Sequence, residues 1–245
     1  MGRLAWAPGE VSKVSWETPR VKSLVIDVPG WPAHRPGQHV DLRLTAPDGY
    51  QAVRSYSLSS APEPGRLAVT VERIDDGEVS PYLVDEARPG DRLEVRGPIG
   101  GYFVWEPAVG GPLQLVAGGS GVVPLAAMIR TWAAANTAVP VRLLYSSRTS
   151  EDVIFRAELE GLASARETLE VVHTFTRSAP PGWTGHRRRI DREMLEEVAW
   201  PASSGALAYV CGPTRLVENV AGDLLAIGYP PNRTRTERFG PTGGP

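Results

Sequence analysis

The feature that most constrains this chain is a change of grammar across the Gly- and Pro-rich stretch at 106–112. Before it, from about Val11 to Trp105, short alternating or β-rich runs lie at 21–28, 39–44, 53–58, 67–74 and 92–95. Turn pairs such as Pro29-Gly30, Pro36-Gly37, Asp48-Gly49 and Pro89-Gly90 separate them. One helix is expected to interrupt these strands, with Ser80 as N-cap, Pro81 as first helical residue and an end near Ala87. After the stretch, apolar runs at 113–117, 141–145, 169–175 and 206–211 alternate with amphipathic segments at 124–135, 152–163, 192–198 and 214–227. That alternation predicts parallel strands joined by helical crossovers. The fold expected is therefore two domains, an N-terminal antiparallel six-stranded β-barrel over residues 1–107 and a C-terminal α/β parallel-sheet domain over 108–245. A length of 245 residues agrees, since one domain takes roughly 100–200.

Composition removes several classes of function. The formal net charge of -2 provides no basic field for a phosphate backbone, so nucleic acid is not an expected partner. No apolar run approaches the ~18 residues of a membrane span, and the first residues lack the apolar core of a signal peptide, so a cytoplasmic protein without membrane contact is expected. The single cysteine, Cys211, excludes an internal disulfide and a cluster held by four thiolates of this chain. The four histidines, His34, His39, His173 and His186, show no metal-ligand spacing, and no metal is expected.

Two stretches are suited to chemistry. The run 113–124 is a buried strand entering a glycine turn, Gly118-Gly119-Ser120-Gly121, and then a helix. Glycines allow close backbone approach, and a helix N-terminus presents N–H groups to a phosphate. Pro124 stands where a third fingerprint glycine would fall, and the turn fits an anion cradle and a purely structural connection equally well. In Arg54-Ser55-Tyr56-Ser57-Leu58-Ser59-Ser60, alternation puts Arg54, Tyr56 and Leu58 on one strand face and the serines on the other. The arginine suits a diphosphate, the tyrosine a flat ring and the serine a ring nitrogen; an ordinary cross-strand aromatic flanked by surface charge has the same pattern.

Six motifs occur in order: Pro36-Gly37-Gln38; Arg54-x-Tyr56-Ser57; Val71-Glu72-Arg73 with Gly77-x-x-Ser80; Gly97-Pro98-x-Gly100-x-x-Phe103; Gly118-Gly119-Ser120-Gly121-x-x-Pro124; and Cys211-Gly212-Pro213. In this the chain resembles the ferredoxin–NADP reductase superfamily, in particular the reductase modules of oxygenase systems, over nearly its whole length. The resemblance implies an FAD-binding barrel and an NAD(P)-binding α/β domain. It implies that Arg54 holds the FAD diphosphate, that Tyr56 covers the isoalloxazine and that Ser57 bonds near flavin N5. It further implies FAD contacts from Val71, Glu72 and Arg73, largely through backbone, and from the turn carrying Gly77, Val79 and Ser80. In the second domain it assigns Gly119, Ser120 and Gly121 to the coenzyme diphosphate and ribose, and Cys211, Gly212 and Pro213 to the nicotinamide. Phe239 is implied as an aromatic near the flavin that gates the nicotinamide; a strand-end core residue is the alternative.

Coenzyme choice turns on Ser147 and Arg148 after the second strand of that domain, with Arg177 and the run Arg187-Arg188-Arg189 beyond. These cations favour NADPH, while Glu151-Asp152 leaves NADH open. In close relatives the segment after Phe239 continues into an iron–sulfur domain; here Pro241-Thr242-Gly243-Gly244-Pro245 follows instead. The electron acceptor is therefore expected to be a separate ferredoxin, haem protein or oxygenase component. A diaphorase or free-flavin reductase, and a flavin-binding electron-transfer subunit without turnover, are the competing expectations.

Overall fold

A computed structural model describes residues 4–240. The residues at either end on which the signal-peptide and chain-end expectations rest, 1–3 and 241–245, lie outside the described residues. The chain divides into two compact units, Met1–Glu106 with Ala126–Thr131, and Pro107–Leu125 with Trp132–Pro245.

The first unit is built on a six-stranded antiparallel sheet of β1 (Ala7–Thr18), β2 (Val21–Asp27), β3 (His39–Thr45), β4 (Gln51–Ser57), β5 (Arg66–Glu72) and β6 (Arg92–Ile99), in the order β4-β3-β6-β1-β2-β5. The two edge strands are tied to each other by a bridge from Leu58 to Val69 and by the Ser59 N–H donating to the Ala68 carbonyl at 2.8 Å, which closes the sheet into a barrel. Closure removes the exposed edges that an open sheet leaves. Its interior is filled by one residue in two along the strands, with Leu24 and Ile26, Val40 and Leu42, and Leu67, Val69 and Val71 all buried.

Two expectations are corrected here. The sixth strand, β1, precedes and overlaps the region where strand-like runs were read. The Ser80–Ala87 helix is a π-helical turn at Tyr82–Glu86, without a side-chain cap. The Ser80 hydroxyl instead accepts the Ile74 N–H at 3.0 Å, closing the preceding loop rather than the helix.

In the second unit, β7 (Leu113–Gly118), β8 (Val141–Thr149), β9 (Leu169–Ser178), β10 (Leu207–Pro213) and β11 (Thr234–Phe239) form a sheet ordered β11-β10-β7-β8-β9, with every pairing parallel. The crossovers are α1 (Val122–Ala134), α2 (Arg156–Ala165), α3 (Arg192–Val198) and α4 (Thr214–Ala226). The chain runs outward from β7 through β8 to β9, then returns to the other side of β7 for β10 and β11. The strand order therefore reverses between β7 and β10, and ligands of open parallel sheets bind at the carboxyl ends of strands flanking such a reversal.

The expected second helix begins later than the spacing implied. Asp152 belongs to a 3₁₀ turn at Ser150–Asp152, Phe155 adopts a left-handed φ of 59°, and α2 starts only at Arg156. No helix is long and apolar enough to cross a membrane among the described residues.

Candidate functional site

The first unit gathers the flavin-motif residues on β4, at the end of β5 and in the loop that follows. Alternation along β4 leaves Arg54 exposed and Tyr56 half-buried against the barrel core. Burial pushes the Tyr56 phenol up to about 12, with Arg54 pulling weakly the other way. Arg54 donates through Nη2 to Glu78 and through Nη1 to its own neighbour's carbonyl, Val53 O, at 2.8 Å. The first of these bonds places the Arg54 guanidinium against the Gly77–Ser80 loop, so two of the motifs converge in space.

Within that loop Gly77 has a steric reason: a Cβ there would lie 2.9 Å from Ser80 Oγ. Val71 and Val79 are buried in the barrel core, which leaves only their backbone for a ligand. Arg73 is committed to ion pairs with Asp75 and with Asp85 at 2.8 Å. Glu72 is half-buried at the end of β5.

Ser57 is buried at the end of β4 and pairs across the sheet with His39. Paired residues share a face with Cβ atoms about 5 Å apart, so the His39 ring is the side-chain neighbour of Ser57. Burial lowers the pKa of His39 against the opposing charge of Asp41. Strand pairing, which one sequence does not show, puts His39 beside Ser57. Gly37 and Gln38 fix the loop beyond β6: a Cβ at Gly37 would lie 1.9 Å from the Phe103 carbonyl, and Gln38 Nε2 donates to the Gly100 carbonyl at 2.7 Å.

In the second unit the reversal between β7 and β10 brings Gly118–Gly121 and Cys211–Gly212 into backbone contact. A Cβ on Gly121 would lie 2.1 Å from the Cys211 carbonyl oxygen, and one on Gly212 would lie 3.0 Å from that of Gly118. Gly119 holds a φ of +53°, and Ser120 is half-buried. Gly121 and Gly212 are therefore sterically required, the Leu216 and Pro213 side chains close over Gly118, and only at Gly119 would an added Cβ meet open space. Pro213 ends β10 and pairs with Phe239, the last residue of β11.

Cys211 is fully buried. Burial foremost, then the charge of Glu237, raises its thiol well above the ordinary value. A protonated thiol is a poor nucleophile. Glu237 is brought there by the parallel register of β10 and β11, and sequence reasoning passed over it because the segment lacks an apolar strand pattern.

At the carboxyl end of β8, Ser147 is buried and its hydroxyl has no hydrogen-bond partner among the described residues. Arg148 is exposed, 3.9 Å from Asp152, and Arg177 is exposed near the end of the adjacent β9. Asp152 accepts from the Thr149 N–H at 3.1 Å and from its hydroxyl at 3.0 Å, so this carboxylate serves a turn. The three consecutive arginines do not form one basic face. Arg188 pairs with Asp191 at 3.2 Å and Glu193 at 3.0 Å, Arg187 donates to the Trp183 carbonyl, and Arg189 is exposed. Among the described residues no group of three or more His, Cys, Asp or Glu is arranged to hold a metal ion.

The donor sets fit the two groups that the motifs imply: an exposed guanidinium beside a glycine loop for a diphosphate, and a glycine turn open at Gly119 with the orphaned buried hydroxyl of Ser147 on the neighbouring strand for a dinucleotide. Comparison with known proteins agrees. Residues 10–104 match the oxidoreductase FAD-binding domain, and residues 115–222 match the oxidoreductase NAD-binding domain. The chain is 32% identical to a glycine betaine monooxygenase reductase subunit of Pseudomonas aeruginosa, over 97% of this chain and 66% of that protein. It thus spans about two thirds of that relative's length. It is 34% identical to ferredoxin–NADP reductase B of Sorangium cellulosum, over 83% of this chain and 84% of that one. The FAD/NAD-binding domain of nitric oxide dioxygenase from Vibrio cholerae superposes with a TM-score of 0.85 at 26% identity, covering 96% of this chain and 99% of that one.

Proposed function

Because the chain belongs to the ferredoxin–NADP reductase family of FAD- and NAD(P)H-dependent oxidoreductases, we propose that it oxidises NADPH and delivers the electrons singly to a separate acceptor protein. The observation that carries the proposal is the glycine-lined contact of Gly118–Gly121 with Cys211–Gly212 where the strand order reverses. Residues 1–107 would form the flavin domain and 108–245 the nucleotide domain. The acceptor would be an oxygenase component, a ferredoxin or a haem protein, as the names of a monooxygenase reductase subunit, a ferredoxin–NADP reductase and, at 30% identity, a flavohemoprotein of Deinococcus radiodurans suggest.

FAD, when bound, supplies the conversion of a two-electron hydride into single electrons. The protein's own residues bind, orient and shield. Arg54 and the Gly77–Ser80 loop would take the diphosphate, with Tyr56 against the ring system and Ser57 donating to it. The glycine turn would admit the coenzyme diphosphate at Gly119, and Cys211, fully buried and held as a thiol, would shape the nicotinamide site through its backbone and attack nothing. Phe239, beside Pro213, would control access to that pocket. For NADPH over NADH, Arg148 and Arg177 offer cations near the 2′ position, while Asp152 Oδ2 serves the Thr149 turn.

The test is an anaerobic titration of the FAD-loaded protein with NADPH and then NADH, followed by flavin absorbance. Bleaching that is faster with NADPH supports the proposal. Bleaching that is faster with NADH overturns the coenzyme assignment, and a flavin that neither nucleotide reduces overturns the reductase function.

A further inference from the structure

Where β4 meets the loop after β5, three side chains are linked. Arg54 projects from β4 with its side chain 52% exposed, and Glu78 lies between Gly77 and Val79 with its side chain 47% exposed. Tyr50, itself exposed, follows the Gly49 turn of the β3–β4 hairpin. The Glu78 carboxylate accepts both the Arg54 guanidinium and the Tyr50 hydroxyl, the latter at 2.7 Å. The Tyr50 hydroxyl first, and Arg54 next, hold the Glu78 carboxyl below its ordinary value, so it carries a full negative charge at neutral pH. The guanidinium thus already grips an anion supplied by its own chain.

We propose that Glu78 is an internal competitor for Arg54, which the FAD diphosphate must displace, and that it thereby sets the affinity for FAD. The inference rests on the assignment of Arg54 to that diphosphate. A guanidinium presents a planar fork of donors that matches a carboxylate and a phosphate alike, so the two compete for one set of N–H groups. The carboxylate keeps Arg54 extended from β4 and ready, but its charge stays close to the phosphates after they bind. Exposed ion pairs are weak, so a diphosphate prevails over Glu78 at a small loss of affinity. A flavin without phosphate does not meet this competition.

The test is titration of apoprotein with FAD and, separately, with riboflavin, followed by flavin fluorescence, in wild type, Glu78→Gln and Arg54→Ala. Gln keeps the length and an acceptor for Tyr50 but removes the charge. The expected result is FAD binding tighter by about three- to fivefold in Glu78→Gln, the scale of one exposed ion pair. Unchanged riboflavin binding throughout supports the same conclusion. FAD binding that is unchanged or weaker in Glu78→Gln, while Arg54→Ala weakens it, overturns the competitor role and leaves Arg54 as the ligand. FAD binding unaffected by Arg54→Ala overturns the diphosphate assignment itself, and the role of Glu78 with it.

Discussion

Gly121→Ala tests the nucleotide cradle directly. The added Cβ would sit 2.1 Å from the Cys211 carbonyl oxygen, 2.4 Å from its carbonyl carbon and 2.6 Å from Gly212 N. All three neighbours are backbone atoms of a buried strand, so no side chain can swing aside. Restoring a 3.0 Å contact moves the α1 entry and the end of β10 apart by about 0.9 Å. Overpacking of this kind costs about 1–3 kcal/mol, and a displacement near 1 Å at a reacting site costs on the order of 100-fold in rate. The expected outcome is kcat/KM for NADPH with ferricyanide as acceptor lowered by about 10- to 100-fold. The melting temperature should fall by about 2–4 °C for each kcal/mol. FAD content should hold, because the flavin motifs lie in the other unit. Gly119→Ala separates backbone strain from overpacking: nothing lies within 4 Å of its Cβ, and only the φ of +53° is strained. Its loss of stability should be confined to that strain, about 1–2 kcal/mol. Wild-type kcat/KM and wild-type melting in Gly121→Ala would refute the cradle.

Three further outcomes are expected. Arg148→Ala should raise KM for NADPH by about tenfold, the scale of one charge-assisted bond to a phosphate, and leave KM for NADH nearly unchanged; equal effects on the two would remove Arg148 from 2′-phosphate binding. Burial lowers the pKa of His34, His39 and His173 from the ordinary 6.5, so the unfolded chain binds more protons than the native one just below that pH. This contribution is complete above pH 6.5 and is lost as pH falls through the native pKa values, so urea midpoints should drop between pH 7 and 5; midpoints flat across that window would contradict the neutral buried imidazoles. Cys211, buried with its thiol pushed up, should resist iodoacetamide in the native protein at pH 8 and react at once in urea, and rapid native labelling would show an accessible thiolate.

The division into two fold classes was legible because the two halves use different periods, which one chain displays without any tertiary information. The strands that escaped are those whose partners, not whose residues, make them strands. β11 reads Thr-Arg-Thr-Glu-Arg-Phe with no apolar alternation, and it is held by its register along β10. β1 is twelve residues long and shared between two neighbours, pairing β6 through Ala7–Glu10 and β2 from Glu10 onward, with register shifts that break its alternation. Its outward Trp16 is 58% exposed, so a reading based on burial has little to follow there.

Within the site, backbone demands were more legible than side-chain partners, and the reason is physical. A glycine motif reports a steric limit that is local in sequence: Gly121 and Gly212 are recognisable before the atoms they accommodate are known. A side chain's partner is decided by what the fold brings opposite it. Ser80 followed by Pro81 satisfies every local rule for a helix cap, yet its hydroxyl bonds six residues back to the Ile74 N–H, because the loop needs that acceptor and the π-helical turn begins without one. His39 and Ser57 are eighteen positions apart in the sequence and become neighbours only through the β3–β4 register. Glu78 is the sharpest instance: as a lone acid in a glycine loop it reads as solvated surface, and only the approach of Arg54 and Tyr50 from β4 and its hairpin turns it into a group that bears on flavin affinity.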